Sequence, residues 1–318
     1  MSEATTARWL ARACIVALCI GVVASHDSVR GGESRSLVIV TSRDDGPYAG
    51  VVAGVRGALG SVRDAGSVQV HSLQSDPERA MDALRAARLS GKGPLITVGS
   101  NATRAALDAP GAAPVIACMT VDGDDLRRIP NATGVLLEFS LETQLAWVRR
   151  FVPESRAIGV LYNPAENQER IVEADKLAAK LGLRLIAREV HRPQDLPAAL
   201  ESLAREADFL LAITDQLVLS RQTTQAILLF SFRNRMPFSG LSASWVKAGA
   251  LYSLERDYED LGAQCAEIAV DVLNGKKPSA IPPAPPRKVL YAINARTADQ
   301  LRLRLPPELI EGAAEVYR

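Results

Sequence analysis

The sequence predicts an α/β protein: two doubly wound parallel-sheet lobes joined by a hinge. Three observations carry this prediction. Short apolar runs of four to seven residues alternate with helical patterns along the whole chain, the rhythm of parallel strands covered on both faces. The rhythm pauses near residue 136 and then restarts. A proline-rich stretch, Ile281 to Arg287 (IPPAPPR), suits neither strand nor helix and reads as a stiff crossing between lobes.

The elements follow in order. LVIVT at residues 37–41 is a strand, residues 48–59 a helix and residues 68–73 a strand. Residues 77–89 are helical, with Pro77 in the first turn, where its missing N–H costs nothing. Residues 94–98 and 114–119 are two more strands. The second series opens with a helix at 141–151 and a strand at 157–162 (AIGVLY). Asn163-Pro164 starts a long helix that Gly182 stops. A strand at 183–189, a helix at 194–205 and a strand at 209–213 come next. They precede a helix at 222–233, short strands at 237 and 250–253, a helix at 258–273 and a last strand at 289–293. The expected division is residues 36–136 with a return segment 256–281, and residues 137–255 with a tail 282–318.

The first residues stand apart. Arg8 and Arg12 precede the apolar run ACIVALCIGVVA, residues 13–24, which is too short for a membrane anchor. A basic region, a short apolar region and small residues at Val22-Val23-Ala24 read as an export signal, residues 1–24, cleaved near Ala24. The expected compartment is the periplasm. Removing that segment takes away Arg8, Arg12 and Glu3 and leaves 35 basic against 35 acidic residues. Such a neutral chain carries no footprint for nucleic acid. Two of the four cysteines remain, Cys118 and Cys265, either as buried thiols or as one bridge. There is no CxxC or HExxH, and His26, His71 and His191 are far apart, so no metal site and no cofactor is expected.

In open parallel sheets ligands sit beyond the carboxyl ends of the strands, and two facing lobes place that site in the gap between them. The residues just past each strand are therefore the candidates: Ser42, Ser100, Thr120, Tyr162, Asn163, Asp215 and the run Ser242 to Ser244. Asp215 ends the apolar run FLLAI, where it can cap the next helix or hold a ligand group. The two uses are compatible. Gly50, Gly54 and Gly57 fall on one helix face and read as close packing rather than a phosphate loop. GLSAS, residues 240–244, lacks the last glycine of a nucleophile elbow, and no histidine follows it. The scarcity of clustered titratable groups favours binding over catalysis, so no enzyme is expected.

Four segments carry a resemblance: AIGVLYNPAEN (157–167), LAITDQLV (211–218), VKAGALYSLERDYEDLGAQCAEIAVDVLNGKKP (246–278) and INARTADQLRLRLPPELIEGA (293–313). Together the chain resembles the substrate-binding proteins of ABC transporters, of the type I periplasmic fold, in the group that includes binders of tryptophan and other aromatic amino acids. The resemblance is clear over residues 151–313 and fainter in the first lobe, where Asp122-Gly123 and Pro130-Asn131-Ala132 replace the usual residues. It implies a monomer that binds a small amino-acid-like ligand and delivers it to an ABC permease in the inner membrane. The alternative is a sensor or accessory protein of the same fold, acting with a signalling receptor. It also implies roles: Ser100 and Thr120, with the helix that follows Ser100, take a carboxylate, Asn163 and Asn167 flank the second-lobe site, and Asp215 takes an ammonium. Ser42, Tyr162 and Ser244 complete the expected set.

Overall fold

The computed structural model describes residues 37–60, 67–91, 93–121 and 123–318. The expected export signal lies outside the described residues.

The first lobe comprises β1 (Leu37–Thr41), α1 (Gly46–Gly60), β2 (Val68–Ser72), α2 (Pro77–Ser90), β3 (Leu95–Val98), α3 (Ser100–Asp108), β4 (Val115–Thr120), α4 (Gly123–Arg128) and β5 (Ala132–Leu136). The five strands run parallel in the order β2-β1-β3-β4-β5, which reverses between β1 and β3. The central strands β3 and β4 are buried along their whole length, which is why LITV and VIACMT are nearly continuous apolar runs. Local chemistry sets the helix ends. Asp76 accepts the N–H of Arg79 at the start of α2, Pro77 fills its first turn, and Gly91 ends it in the left-handed conformation.

The second lobe comprises α5 (Leu141–Phe151), β6 (Ala157–Tyr162), α6 (Pro164–Lys180), β7 (Arg184–Glu189), α7 (Leu196–Leu203), β8 (Phe209–Leu211), α8 (Arg221–Asn234), β9 (Phe238–Gly240), α9 (Ala243–Ala248) and β10 (Tyr252–Arg256). The chain then returns as α10 (Tyr258–Leu273) to pack on α1 of the first lobe. It ends in the second sheet with β11 (Val289–Asn294), α11 (Ala295–Gln300), α12 (Pro307–Glu311) and β12 (Glu315–Tyr317). The order is β12-β11-β10-β9-β8-β6-β7, and within it only the β10–β11 pair is antiparallel. Apolar layers cover both faces of each sheet.

The α1–α10 contact explains two of the five glycines in α1, Gly50 and Gly54. A Cβ on Gly54 would lie 1.9 Å from the carbonyl oxygen of Glu259, and one on Gly50 would lie 3.1 Å from the Cβ of Tyr258. Gly57 faces open space and takes no part. A disulfide between Cys118 of β4 and Cys265 of α10 ties the returning helix to the first sheet.

The structure departs from the sequence expectation in several places. Strand β5 was not anticipated, because Thr133 and Gly134 interrupt its apolar run. Gly134 is required there: a Cβ would lie 1.9 Å from the carbonyl oxygen of Ala117 on β4. The short elements α4, α9, α11, α12 and β12 were too brief for periodicity to show. The expected helix at 194–205 divides into a single tight turn, Pro193–Asp195, and α7. The proline-rich stretch is more than a crossing. Ala284 pairs with the edge of β5, donating to Gly134 O and accepting from Leu136 N. Prolines are tolerated at such an edge because one side of the strand needs no donors. The chain therefore passes between the sheets three times: after β5, after β10 and before β11.

Candidate functional site

The predicted second-lobe residues come together, but as an internal knot. Asp215 is 3 % exposed and Asn167 5 %. Oδ1 of Asp215 accepts the backbone N–H groups of Leu217 (3.0 Å) and Val218 (2.8 Å). Oδ2 accepts Asn163 N (2.7 Å) and Asn167 Nδ2 (2.9 Å). A carboxylate offers about four lone-pair sites, and these four donors fill them. Asp215 thus has no free acceptor for a ligand ammonium, contrary to the expectation. Nor does it cap a helix. It caps the tight turn after β8 and ties it to the start of α6. The cap of α8 is Ser220, paired reciprocally with Thr223.

The neighbours are equally committed. Asn163 is the N-cap of α6, accepting Ala165 N, and its amide donates to Glu166. Glu166 also accepts Gln216 N, closing the knot from the solvent side. Asn167 donates a second bond to Thr214 O. The Tyr162 hydroxyl shares its one proton between Gln168 Oε1 (3.3 Å) and Glu189 Oε1 (3.2 Å), and burial, followed by Glu189, pushes its pKa up. These bonds make a rigid second-lobe rim rather than a set of free ligand groups.

The first-lobe candidates sit at the tips of β1, β3 and β4. Gly99, just past β3, has φ +92°, and a Cβ there would lie 2.7 Å from both Ser42 Oγ and Tyr48 Cε1. Only glycine lets these two side chains close over the start of α3. Ser42 Oγ accepts Ala102 N at 2.9 Å, which satisfies one of the free donors of that helix. Ser100 and Thr120 share the wall of a partly open cavity of about 370 Å³ with Arg104, Asp125 and Arg128. Ser244 is exposed on the first turn of α9, its hydroxyl 2.8 Å from that of Ser242. The two described histidines are placed elsewhere: His71 is in β2, and His191 pairs with Glu189.

A different cleft opens at the carboxyl ends of β8, β9 and β10, and the sequence had not singled out most of its walls. Its cavity volume is about 40 Å³, and it widens into open solvent. Its floor is Leu211, Ser239, Tyr252 and Leu254, and its rim Thr214, Gly240 and Leu241. Its roof is the first crossing, where Glu138 and Phe139 follow β5, and Gln144 and Arg170 reach in from α5 and α6. Three polar contacts pin that roof. Arg170 pairs with Glu138 at 2.8 Å, Gln144 donates to Phe139 O at 2.9 Å, and Arg256 Nε donates to Leu137 O at 2.8 Å. The Arg256 guanidinium also lies over the Phe139 ring, 5.3 Å from its centroid.

Arg256 connects the cleft to the first lobe as well. Half-buried Tyr258, at the start of α10, has its pKa raised chiefly by burial, lowered in smaller measure by Arg256, and raised again by Glu255 and by Tyr48 of the first lobe. The cleft is thus mostly apolar, bounded by a few polar groups and placed beside the chain crossings. Such a place suits a small ligand. Among the described residues no group of three His, Cys, Asp or Glu side chains could hold a metal.

Comparison with known proteins adds family context. The profile of the ABC transporter substrate binding protein family matches residues 45–317. A tyrosine-binding protein of Clostridioides difficile is 29% identical over 155 residues, 48% of this chain and 44% of that protein. The chain therefore spans under half of that curated relative's length. Among solved structures, a ligand-free, open substrate-binding protein with adhesive properties from Clostridium difficile has a TM-score of 0.69 at 21% identity, over 89% of this chain and 99% of its own. An ABC domain from Streptococcus pneumoniae in complex with L-Trp has a TM-score of 0.56 at 18% identity, over the same shares. At these identities the structural likenesses show the type I periplasmic binding fold.

Proposed function

The chain belongs to the ABC transporter substrate-binding protein family, and from that premise we propose that it is an exported protein that grips a small amino-acid-like ligand between its lobes and delivers it to an inner-membrane permease. The observation that carries this reading is the cleft under the first crossing. It joins apolar side chains to a few polar ones, and it is walled by the second lobe and by the first crossing, Glu138 and Phe139, where the chain arrives from the first lobe. The first-lobe hydroxyls of Ser42, Ser100 and Thr120 lie outside this lining, and in this reading closure of the lobes brings them to the ligand. The knot around Asp215 and Asn167 keeps the second-lobe rim in place.

Aromatic amino acids are the first probes. The Clostridioides relative is named for tyrosine, the Streptococcus structure holds L-Trp, and Phe139 and Tyr252 line this cleft. The basic-then-apolar pattern of residues 1–24 supports export, and the Cys118–Cys265 disulfide suits an oxidising compartment. No described helix is long and apolar enough to cross a membrane.

A thermal-shift screen of the twenty amino acids tests the proposal. A ligand present at a thousand times its Kd adds about 4 kcal/mol to stability, a rise on the order of 10 °C for a chain of this size. A screen in which no amino acid raises Tm contradicts the reading.

A further inference from the structure

We infer that Arg256 is the anion pole of the cleft, the group that takes a ligand carboxylate, so the site selects free amino acids over their neutral amides. This rests on the reading above and assigns a residue to it.

The argument is one of charge and unused donors. Three charged side chains line the cleft: Glu138, Arg170 and Arg256. Arg170 is neutralised by Glu138 at 2.8 Å, and both side chains are about one-fifth exposed. Arg256 has no carboxylate partner among the described residues. Its one hydrogen bond among the described residues is from Nε to Leu137 O, which fixes the plane of the guanidinium and leaves both Nη groups for another acceptor. The nearest acid in sequence, Glu255, accepts from Ser253 Oγ, and alternate strand residues face opposite sides of the sheet. Asp257 is occupied by Lys288 and by the cap of α10. The lined space thus carries one uncompensated positive charge, held on a pre-oriented fork of the kind that binds carboxylates through two bonds.

The competing anion site is weaker than the sequence suggests. At the start of α3, Ala102 N is already bonded to Ser42 Oγ and Thr103 N to Gly99 O. That helix end therefore has fewer free donors to offer than a bare N-terminus.

The position of Arg256 also suits a conformational role. It ends β10 where the chain leaves the second lobe, it holds the backbone of the first crossing, and it stacks on Phe139. A carboxylate bound there draws on the same guanidinium that ties two crossings together.

Calorimetric titration of the full chain with L-tyrosine and L-tryptophan, each beside its primary amide, tests the assignment. Removing one partner of a half-buried charge pair costs at least about 30-fold in affinity. Wild-type protein is expected to prefer the free acid over the amide by that factor. Arg256→Gln keeps a donor for Leu137 O but loses the charge, and should bind acid and amide within about three-fold of each other. Arg256→Lys keeps charge without the fork and should fall between. An acid-to-amide ratio unchanged in Arg256→Gln, or absent in wild-type protein that binds both forms, overturns this inference and leaves the proposed function standing. Wild-type protein that binds neither amino acid overturns the aromatic reading and this inference with it.

Discussion

Replacing Asp215 by asparagine separates the two roles its position suggested. The amide is nearly the same size, but it has one acceptor oxygen instead of two. Whichever way it turns, one pair of donors faces an NH2 group: Leu217 N with Val218 N, or Asn163 N with Asn167 Nδ2. A net hydrogen bond to a charged group contributes about 1.5 to 3 kcal/mol. Two such bonds are lost and two buried donors meet another donor, so the cost is about 3 to 5 kcal/mol, the scale of breaking a buried pair. That corresponds to a fall in Tm of roughly 6 to 15 °C in ligand-free protein. Asp215→Ala should be at least as damaging. Asn167→Asp should behave similarly, since it places a second carboxylate where a donor now sits 2.9 Å from the first. The assay is thermal unfolding of the ligand-free protein followed by circular dichroism. If Asp215→Asn melts with the wild type and loses only ligand affinity, the structural account of this residue is refuted.

Other consequences follow from the same bonds and contacts. Gly54→Ala forces a methyl to within 1.9 Å of Glu259 O and should cost about 1 to 3 kcal/mol by overpacking, whereas Gly57→Ala meets open space and should stabilise α1 by up to about 1 kcal/mol; urea unfolding of both variants checks the opposite signs. Cys118→Ala with Cys265→Ala opens a loop of 147 residues and should lower stability by about 2 to 4 kcal/mol, read as a lower melting temperature. The hydrogen bond from Lys288 lowers the pKa of Asp257, so its stabilisation is complete above the unfolded carboxylate value of about 3.9 and is lost as pH falls through the folded value. Asp257→Asn keeps the α10 cap and should lose less stability than wild type between pH 7 and pH 2, while Asp257→Ala should cost about 1 kcal/mol more at pH 7 through the missing cap; unfolding at several pH values measures both.

The architecture was readable in the sequence wherever one signal dominated. Fully buried runs such as VIACMT and AIGVLY announce interior parallel strands, and Asn163-Pro164 announces a helix start, because burial and capping act locally. The pairing of Cys118 with Cys265 was open, since bringing them together depends on α10 returning to the first sheet. The site was legible only as a location. That ligands lie past strand ends pointed to Asn163 and Asp215, and the resemblance pointed to Asn167; they do meet, but a residue list cannot show that their bonding capacity is already filled. Glu138, Phe139 and Arg256 were missed for a related reason. They flank chain crossings, and the first crossing could not be placed while β5, interrupted by Thr133 and Gly134, was unrecognised. A polar residue directly after an apolar run, as in LEF or LERD, is the signal that could have found them.

A crystal structure of the protein grown with the amino acid that most raises its melting temperature bears most directly on the claim that the lobes hold a small solute between them. Density for the solute beneath the Glu138–Phe139 crossing, with its carboxylate on Arg256 and first-lobe hydroxyls opposite, is the predicted result. Density on an outer face of either lobe, with that cleft filled only by water, would contradict it.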